Sequence, residues 1–434
     1  MCARVAYHLW DRGLHPSGPH FSPAFCYGRP RVVNPAVPSE IYRKGLDLKL
    51  AVAGDVASDY HSRFVERVKD AGYRWRAGRL TVHLAREFGF CYGVDRAVSY
   101  AYQTRHRFPD RRVYLASEII HNPQVNNRLR EAGIRFLSDP SESVDDLVPD
   151  DVVIIPAFGV TVAELERLER QGCTLVDTTC GSVLNVWKKV REHARDGFTS
   201  VIHGKLHHEE TRATASQAAP LDGGRDVGIL DDEQAGLLCD VIRGRAGRGQ
   251  FMDAFGNACS PGFDPDRDLQ RVGLANQTTM LMSESIAIGE MIRRAMIDRY
   301  GAAALPDHYR ALETICSATQ DRQDALERLL DAHRCDLAVV VGGYNSSNTR
   351  NLARICAERM PTYHIAAPAC LISADELRHQ PLDAASGGPA AQAVTRDWLP
   401  ADGDFTIAVT AGASTPDSVV GEVIEKLTLL AGPE

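Results

Sequence analysis

TLVDTTC, residues 174–180, leads from a short apolar and β-branched stretch through two threonines to a cysteine, and a helical pattern follows. The apolar part predicts a buried strand. The same order of strand, cysteine and helix occurs twice more, in TVHLAREFGFC (residues 81–91) and in LETIC (residues 312–316). The three helices are expected to begin near Val94, Val183 and Asp321. The chain therefore carries a weak internal repeat that is built around cysteine.

Short β-rich stretches alternate with amphipathic stretches along the rest of the chain. The predicted strands are Leu80–Leu84, Val113–Leu115, Val152–Ile155, Thr174–Val176, Ser200–His203, Arg271–Ala275, Leu337–Val341 and Thr406–Val409. The predicted helices include Thr161–Gln171, Ser283–Tyr300, Arg322–His333 and Asn348–Arg359. Strands that alternate with helices of this length indicate parallel α/β units. Two segments interrupt the alternation, Gly223–Asp268 and Ala367–Pro400, and we expect both to be insertions or surface loops.

This organisation predicts an N-terminal extension and three α/β units. The expected boundaries are 1–79 for the extension, then 80–180, 181–312 with an insertion at about 223–268, and 313–434. The first 40 residues lack the apolar core of a signal peptide, and we expect them to be poorly ordered or to wrap the surface. Arg greatly outnumbers Lys, and no transit peptide is evident. We therefore expect a bacterial cytoplasmic protein rather than a plastid one.

Composition excludes several classes of protein. The 434 residues are 44% hydrophobic and carry a net charge of −8 with both signs interspersed. No apolar run approaches the ~20 residues of a membrane span, and no broad basic surface for nucleic acid is expected. The 11 cysteines are odd in number and scattered, which makes a poor disulfide framework. A reduced protein is expected, in which most cysteines behave as small buried apolar residues.

Cys91, Cys180 and Cys316 differ from the other cysteines in position. Each follows a predicted strand of a parallel α/β unit, where ligands collect, and precedes a helix whose N-terminus favours a thiolate. Their wide separation matches no zinc-finger spacing, and spacing alone allows three unrelated core cysteines. The alternative is an iron–sulfur cluster held by these three. Three thiolates would leave one iron open to a substrate oxygen, whereas four normally saturate the cluster.

Polar residues follow several of the same strands. Gly342-Gly343-Tyr344 and Asn345-Ser346-Ser347-Asn348 come after the strand at 337–341, and they would form an anion cradle or an ordinary helix cap. Ser414, after the strand at 406–409, allows the same two interpretations. HGKLHHEE, residues 203–210, clusters His and Glu without the spacing of a metalloprotease zinc site. Histidine can also donate to a diphosphate oxygen, and a nearby glutamate can move protons.

Taken in order, these motifs resemble a known family. They are GFCYGVDRAV, EIIHNPQVNNRL, VDTTC, HGKLHHEET, ANQTTM, ETICSATQDRQDA, VVGGYNSSNT and TAGASTPD. The set is similar to the 4-hydroxy-3-methylbut-2-enyl diphosphate reductases, which catalyse the last step of the methylerythritol phosphate route to isoprenoids. The likeness extends from about Tyr42 to Leu427. PAFG, HGKxxHEETxATAS and WLP resemble the plant and cyanobacterial branch in particular.

The resemblance implies a trefoil of three pseudo-symmetric α/β units with parallel sheets around one central [4Fe–4S] cluster. The cluster would have Cys91, Cys180 and Cys316 as ligands and one open iron. Substrate contacts carried over by motif are His121, His208, Thr278, Ser346, Ser347, Asn348 and Ser414. Glu210 would donate the proton that makes hydroxide a leaving group, directly or through Thr278. The products would be isopentenyl and dimethylallyl diphosphate, and the family suggests ferredoxin or flavodoxin as a transient electron donor.

Two residues depart from the commonest family pattern. Phe158 stands where many bacterial members have histidine, and we expect altered diphosphate contacts with function retained. Gly181 follows Cys180 where proline is usual, which should loosen the turn that presents the sulfur.

Two other functions stay open beside the reductase. An iron–sulfur hydro-lyase would use the open iron without net reduction, so it should turn over without an electron donor. An iron–sulfur sensor descended from the reductase would need neither Glu210 nor Thr278 nor the cradle that ends in Asn348. The presence of these residues argues against the sensor.

Overall fold

The strands and helices are those of a computed structural model that describes residues 39–221, 223–311, 315–382 and 392–432. The strands are β1 (Ile41–Tyr42), β2 (Arg74–Ala77), β3 (Leu80–Leu84), β4 (Val113–Leu115), β5 (Ile134–Phe136), β6 (Val152–Ile155), β7 (Thr174–Asp177), β8 (Thr199–His203), β9 (Asp226–Ile229), β10 (Val272–Asn276), β11 (Tyr309–Arg310), β12 (Leu337–Val341), β13 (Thr362–Ile365), β14 (Glu376–His379), β15 (Ala393–Arg396) and β16 (Phe405–Ala411).

The helices lie between these strands, as α/β units require. They are α1 (Lys49–Tyr60), α2 (Arg63–Asp70), α3 (Tyr92–Arg107), α4 (Pro123–Glu131), α5 (Val162–Arg170), α6 (Gly181–Arg195), α7 (Glu209–Ala215), α8 (Asp232–Ile242), α9 (Arg248–Phe255), α10 (Pro265–Asp268), α11 (Met282–Tyr300), α12 (Leu305–His308), α13 (Ser317–Ala332), α14 (Ser347–Ala357) and α15 (Asp417–Leu430). None of the helices in the described part of the chain is both long and apolar enough to cross a membrane.

Three sheets, almost wholly parallel, carry the fold. The first has the order β1-β7-β6-β4-β5, the second β11-β10-β8-β9, and the third β13-β12-β16-β3-β2. Every neighbouring pair in them is parallel except β2 with β3. Strands β14 and β15 form a separate antiparallel pair. The predicted class, three α/β units with parallel sheets, is confirmed.

The residues that end the strands and begin the helices follow ordinary capping chemistry. Asn122 precedes α4, its side chain accepts the N–H groups of Gln124 and Val125, and Pro123 occupies the first turn. Thr161 and Glu164 form a reciprocal capping box at the start of α5. Such caps fix the points at which the chain leaves each sheet, and the loops of the site lie at these points.

Each sheet has its own buried apolar cluster. Val201, Leu274 and Ile288 belong to the cluster of the second sheet, whose members also include residues of α8 and α9. The other two sheets are packed in the same way by α1, α3 and α4, and by α2 and α15. Each sheet is therefore packed by helices of its own, and the loops at the strand ends supply the polar contacts between the sheets that are described below.

The segment Gly223–Asp268 differs from the prediction. It contains β9, which pairs with β8 in the second sheet, and the three helices α8, α9 and α10. The expectation of an insertion or surface loop was therefore wrong for this segment. Its high content of Gly, Arg and Asp concealed the buried positions, such as Val227, Leu238 and Phe251, that pack against the sheet. The second interruption, Ala367–Pro400, carries the β14–β15 pair, and residues 383–391 lie outside the described residues.

The first cysteine segment belongs to a different sheet from the one that the proposed boundaries imply. Strand β3, assigned to the unit 80–180, pairs with β16 in the third sheet. Residues before position 80 also contribute, because β1 pairs with β7 and β2 pairs with β3. The domain boundaries stay a prediction, as does the character of the first 40 residues, of which residues 1–38 lie outside the described part of the chain.

Asp226, at the start of β9, provides a stability prediction. Burial raises the pKa of its carboxyl group to about 7, against the opposing influence of Arg225. A raised pKa means that the folded state loses stability as pH rises from the unfolded pKa of about 4 through about 7, by roughly 4 kcal/mol at ~1.4 kcal/mol per pKa unit. Asp226→Asn is therefore expected to raise Tm by about 5 °C at pH 8 and to leave it unchanged at pH 4.

Thermal unfolding followed by circular dichroism at the two pH values measures this difference. Asp253→Asn, at an exposed position on α9, is the matched control and should change Tm at neither pH. An equal gain at pH 4 and pH 8 for Asp226→Asn would contradict the ionisation argument.

Candidate functional site

The residues predicted for the site all follow the carboxyl ends of strands in the three sheets. In the first sheet, His121 follows β4 and Cys180 follows β7. In the second sheet, His208 and Glu210 follow β8, Thr278 follows β10 and Cys316 follows β11. In the third sheet, Cys91 follows β3, Ser414 follows β16, and β12 is followed by Ser346, Ser347 and Asn348. Parallel strands end at one edge of their sheet, so each sheet presents its own set at a single edge.

All three predicted cysteines occupy the same local position. Cys91, Cys180 and Cys316 are the residues immediately before α3, α6 and α13, each with extended backbone geometry. Their helices begin two to four residues earlier than the sequence pattern predicted, directly after the cysteine. Residues 312–314 of the third segment lie outside the described residues. The nine cysteines of the described part of the chain are all free, which agrees with the expected absence of a disulfide framework there.

The three cysteine loops contact one another. The Sγ atoms of Cys91 and Cys180 both lie within 4 Å of the position that a Cβ on Gly93 would occupy. Arg96, on α3, donates to the carbonyl oxygens of Thr178 and Thr179, just before Cys180. Arg322, on α13, donates to the carbonyl oxygen of Gly89, 2.7 Å away and just before Cys91. Two arginines therefore tie the loops of Cys180 and Cys91 to the helices that follow Cys91 and Cys316, respectively.

The thiol groups of Cys91 and Cys316 are half-buried, and this burial governs their pKa. Burial raises the pKa of Cys91 and raises that of Cys316 to about 11, although hydrogen bonds from helical N–H groups and from Thr319 act in the opposite direction. The N–H groups at the helix starts therefore favour the thiolate at these two cysteines, but burial outweighs them. A positively charged metal centre would supply the missing stabilisation, because coordinated thiols lose their protons.

Gly93 is a position where a side chain would disturb the sulfur atoms. A Cβ at this residue would lie 2.6 Å from the Sγ of Cys180, far inside van der Waals contact. Gly93→Ala is therefore expected to lower iron content after reconstitution at least about tenfold, because it displaces a candidate ligand. Iron and sulfide analysis of anaerobically purified protein measures the loss.

The control for this change is the glycine on the other side of the same sulfur. Gly181 is the first residue of α6, and a Cβ there would meet nothing within 4 Å. Gly181→Ala should keep its iron, and equal losses in the two variants would mean that the effect of Gly93→Ala is not steric.

The hydrogen bonds around His208 and His121 indicate which ring nitrogens carry protons. The N–H of Glu210 donates to Nδ1 of His208, 3.1 Å away, so the remaining proton of neutral His208 lies on Nε2. That Nε2 is 3.1 Å from Nε2 of His121, whose Nδ1 is in turn 3.1 Å from a carboxylate oxygen of Glu118. Burial, with smaller influences of His121 and Lys205, holds the pKa of His208 well below its usual value. His208 is thus a neutral donor aimed at its neighbour.

Two further features surround this pair. The ring of Phe158 stacks on that of His121, with centroids 5.0 Å apart and an interplanar angle of 14°. Phe158 therefore fixes the orientation of a histidine and offers no hydrogen bond of its own. One ligand atom from each of His121, His208 and Glu209 lies within 4.8 Å of the others, a grouping that could also hold a cation.

The serine and asparagine residues after β12 lie where the three sheets approach one another. Ser346 caps α14 through the N–H of Thr349, and Ser347 lies 3.3 Å from the side-chain nitrogen of Gln277. Asn348 is 2% exposed and accepts the N–H of Ala413, whereas its Nδ2 has no hydrogen-bond partner among the described residues. A buried donor without a partner indicates a place for a ligand oxygen. The anion cradle is thus favoured over an ordinary cap.

His121 also contacts the third sheet through its backbone. Its carbonyl oxygen accepts a hydrogen bond from Ser414, with 3.4 Å between the oxygen atoms. The same oxygen lies so close to Gly343 that a Cβ there would collide with it. Glycine at 343 therefore allows the turn after β12 to approach the turn after β4. The predicted diphosphate residues of the first and third sheets are brought together in this way.

Glu210 and Thr278 are buried against each other. Glu210 is 3% exposed, and its carboxylate accepts the N–H of Thr278 at 2.6 Å. Burial raises the pKa of Glu210, while the hydrogen bonds from Thr278 partly oppose this effect. The carbonyl oxygen of Thr278 accepts the N–H of Cys316, with 3.2 Å between nitrogen and oxygen. The candidate acid is therefore two hydrogen bonds away from a candidate cluster ligand.

Gln277 is a connecting residue that the sequence argument did not select. It is completely buried, its Oε1 accepts the N–H of Lys205, and its Nε2 lies within hydrogen-bond distance of Thr279 and Ser347. The sequence does indicate this residue, because Gln277 follows β10 directly and precedes Thr278. Its side-chain amide joins the second sheet to the third.

Comparison with known proteins shows the family of the chain. A family model described as LytB protein matches residues 82–428. Relatives named 4-hydroxy-3-methylbut-2-enyl diphosphate reductase are 47% identical to the chain in a Synechococcus species, over 89% of this chain and 94% of the relative, and 47% identical in Gloeobacter violaceus, over 90% and 93%. The solved structure of E-1-hydroxy-2-methyl-but-2-enyl-4-diphosphate reductase from Plasmodium falciparum shares the fold at 20% identity, with a TM-score of 0.59 over 81% of this chain and 88% of that one. The chain belongs to the LytB family of 4-hydroxy-3-methylbut-2-enyl diphosphate reductases.

Proposed function

We propose that the chain converts 4-hydroxy-3-methylbut-2-enyl diphosphate to isopentenyl and dimethylallyl diphosphate at the site where the three sheets meet. The family is one of iron–sulfur oxidoreductases that act on this small diphosphate at the end of the methylerythritol phosphate route. In the reaction the allylic C–O bond breaks. Two electrons and two protons enter, one proton leaves with the hydroxyl group as water, and the other is added to carbon.

Cys91, Cys180 and Cys316 are the proposed ligands of one [4Fe–4S] cluster. The fit is supported by three half-buried thiols at helix N-termini, by the approach of two sulfurs to Gly93, and by the raised pKa values of Cys91 and Cys316, which a metal centre would reverse. When bound by three cysteines, the cluster supplies electrons and one Lewis-acidic iron for the substrate oxygen.

The diphosphate of the substrate is proposed to lie between His208, His121 and the cradle after β12. His208 has a proton on Nε2 that can turn from His121 to a phosphate oxygen, and the unpaired Nδ2 of Asn348 is a second donor. Ser346, Ser347 and Ser414 supply hydroxyl groups around the same space. Binding energy from this remote group holds the reacting hydroxyl in place.

Glu210 is proposed to protonate the leaving hydroxyl group, directly or through Thr278. Hydroxide is a poor leaving group, and a carboxyl group with a raised pKa keeps a proton to donate at higher pH than an exposed carboxyl group does. The observation that carries the proposal is the continuous hydrogen-bonded path from the buried Glu210 to Thr278 and on to Cys316. This path supports the assignment of a proton donor close to a candidate cluster ligand.

Anaerobically purified protein, assayed with 4-hydroxy-3-methylbut-2-enyl diphosphate and a reduced viologen, tests the proposal. Both isopentenyl and dimethylallyl diphosphate should form, and only when the reductant is present. An intact cluster spectrum without turnover would reject the reductase, and turnover without reductant would indicate a hydro-lyase. Ferredoxin or flavodoxin as physiological donor and a bacterial cytoplasmic location are the further parts of the proposal.

A further inference from the structure

A cavity of about 510 Å³ adjoins the histidine pair. His121 and His208 form part of its lining, together with Lys205, Tyr344, Asn345 and Arg350. The lining therefore combines the turn after β8, the turn after β12 and the first two turns of α14. The cavity is large enough for a ligand of the size of an allylic diphosphate.

The charge of this lining is predominantly positive. Lys205 and Arg350 contribute two cations, and Glu209 is the one acidic residue among the described residues that line the cavity. The carboxylate of Glu209 already faces His121, with 3.4 Å between Oε2 and Nε2. Among the described residues of the lining, no carboxylate is thus left for Lys205.

Lys205 is held in place by its backbone and lacks a partner at its ammonium group. Its N–H donates to Gln277, and the preceding Gly204 donates to β9. Within residues 39–221, 223–311, 315–382 and 392–432, no hydrogen bond or ion pair of its Nζ is present. The side chain is half-buried, and burial together with the neighbouring Arg350 lowers the pKa of Lys205 to about 8. A bound anion would offset both the burial of the ammonium group and its repulsion from Arg350.

Arg350 is fixed more firmly than Lys205. Its guanidinium group donates to the carbonyl oxygen of Leu382, 3.1 Å away, and its helix begins at the serine cradle. The two cations are therefore presented by elements of different sheets on the same cavity. Such an arrangement suits a ligand with several anionic oxygens better than one with a single charge.

We propose that Lys205, supported by Arg350, captures the diphosphate group of the substrate in this cavity before and while it contacts His121 and His208. The proposal rests on the proposed function for the identity of the substrate. The ligand chemistry, a diphosphate, is shared with inorganic diphosphate, which should bind at the same place. Because His121, His208 and the cradle still position the diphosphate, loss of the Lys205 contact should affect KM and association and leave the chemical step unchanged.

The test compares Lys205→Gln and Lys205→Arg with the parent holoenzyme under anaerobic conditions. Isothermal titration calorimetry with inorganic diphosphate, at low and high salt, measures the affinity. Lys205→Gln should weaken binding about tenfold and reduce its salt dependence, since a charge-assisted contact is lost. Lys205→Arg should remain within about threefold of the parent because the positive charge is kept.

Steady-state kinetics supply the second arm. Lys205→Gln should raise the KM for the substrate about tenfold and keep kcat within about twofold. Lys188→Gln is the matched control, because this exposed lysine on α6 does not line the cavity. It should bind and turn over like the parent, and all variants should keep the parental cluster absorbance.

Unchanged diphosphate affinity in Lys205→Gln would overturn the proposal, and so would a weaker affinity with an unchanged KM, because the substrate would then bypass Lys205. A protein that binds inorganic diphosphate through Lys205 but does not reduce the substrate would reject the reductase function instead. The two failures are therefore distinguishable.

Discussion

Cys316→Ser is expected to yield folded protein without the visible absorbance of an iron–sulfur cluster. Serine keeps the size of the side chain and the backbone contact from Cys316 to Thr278, so the loop before α13 should retain its path. The soft thiolate ligand is lost, however, and iron–sulfur centres require it. Iron and sulfide per chain should fall at least about tenfold after anaerobic reconstitution, and reductase activity should fall with them.

Cys335→Ser is the control for this experiment. Cys335 is also buried, and its Sγ contacts only the carbonyl oxygen of His333 among the described hydrogen-bond partners. It belongs to an apolar cluster with Cys356 and Leu326. It lies before β12, and the cradle follows the other end of that strand. The variant should keep its iron. Equal losses in the two variants would reject the choice of ligands.

Glu210→Gln is expected to keep the cluster and bind substrate, yet to lose about 100-fold or more in kcat. The amide can still accept the N–H of Thr278, so the turn before α7 should hold its shape. It cannot release a proton, and general acid catalysis contributes about 10²–10⁴-fold. Rates measured with saturating reductant and substrate, beside the cluster spectrum and diphosphate affinity, separate the loss of chemistry from the loss of binding.

The pH dependence of the parent enzyme should report the same group. Because burial raises the pKa of Glu210, its proton is present at low pH and is lost as pH rises through that raised value. The parental kcat should therefore fall on the alkaline side, and the residual rate of Glu210→Gln should lack that limb. Glu233→Gln, at an exposed position in α8, is the matched control and should behave like the parent. A parental rate in Glu210→Gln would remove the proton-donor role.

The parts of the molecule that follow local patterns were predictable from sequence. Strands such as β3, β6 and β12 have the predicted bounds, because runs of β-branched and apolar residues in parallel sheets are strong signals. The position of the three cysteines after strands and before helices was predictable for the same reason. The structure adds that they stand directly at the helix starts and that Cys91 and Cys180 approach one another.

The parts that depend on distant contacts were not predictable in this way. Strand β9 and helix α8 lie in a polar segment, and only pairing with β8 shows that Val227 is a core residue. The ring nitrogens that carry protons in His208 and His121 are determined by a backbone N–H of α7 and by the carboxylate of Glu118. Lys205 is one residue of the motif that clusters His and Glu. Its position on a cavity that Arg350, remote in sequence, also lines depends on the fold.

The place of β3 in the third sheet has a consequence for biosynthesis. Its neighbour β16 is made roughly 330 residues later, so at translation rates of about 5–20 residues per second β3 waits about 15 to 65 s for its partner. The N–H of Cys91 is hydrogen-bonded to Ala413, which leaves the ribosome later still. The pocket for the cluster can therefore close only after nearly the whole polypeptide has emerged, which makes delivery of iron and sulfide a post-translational event.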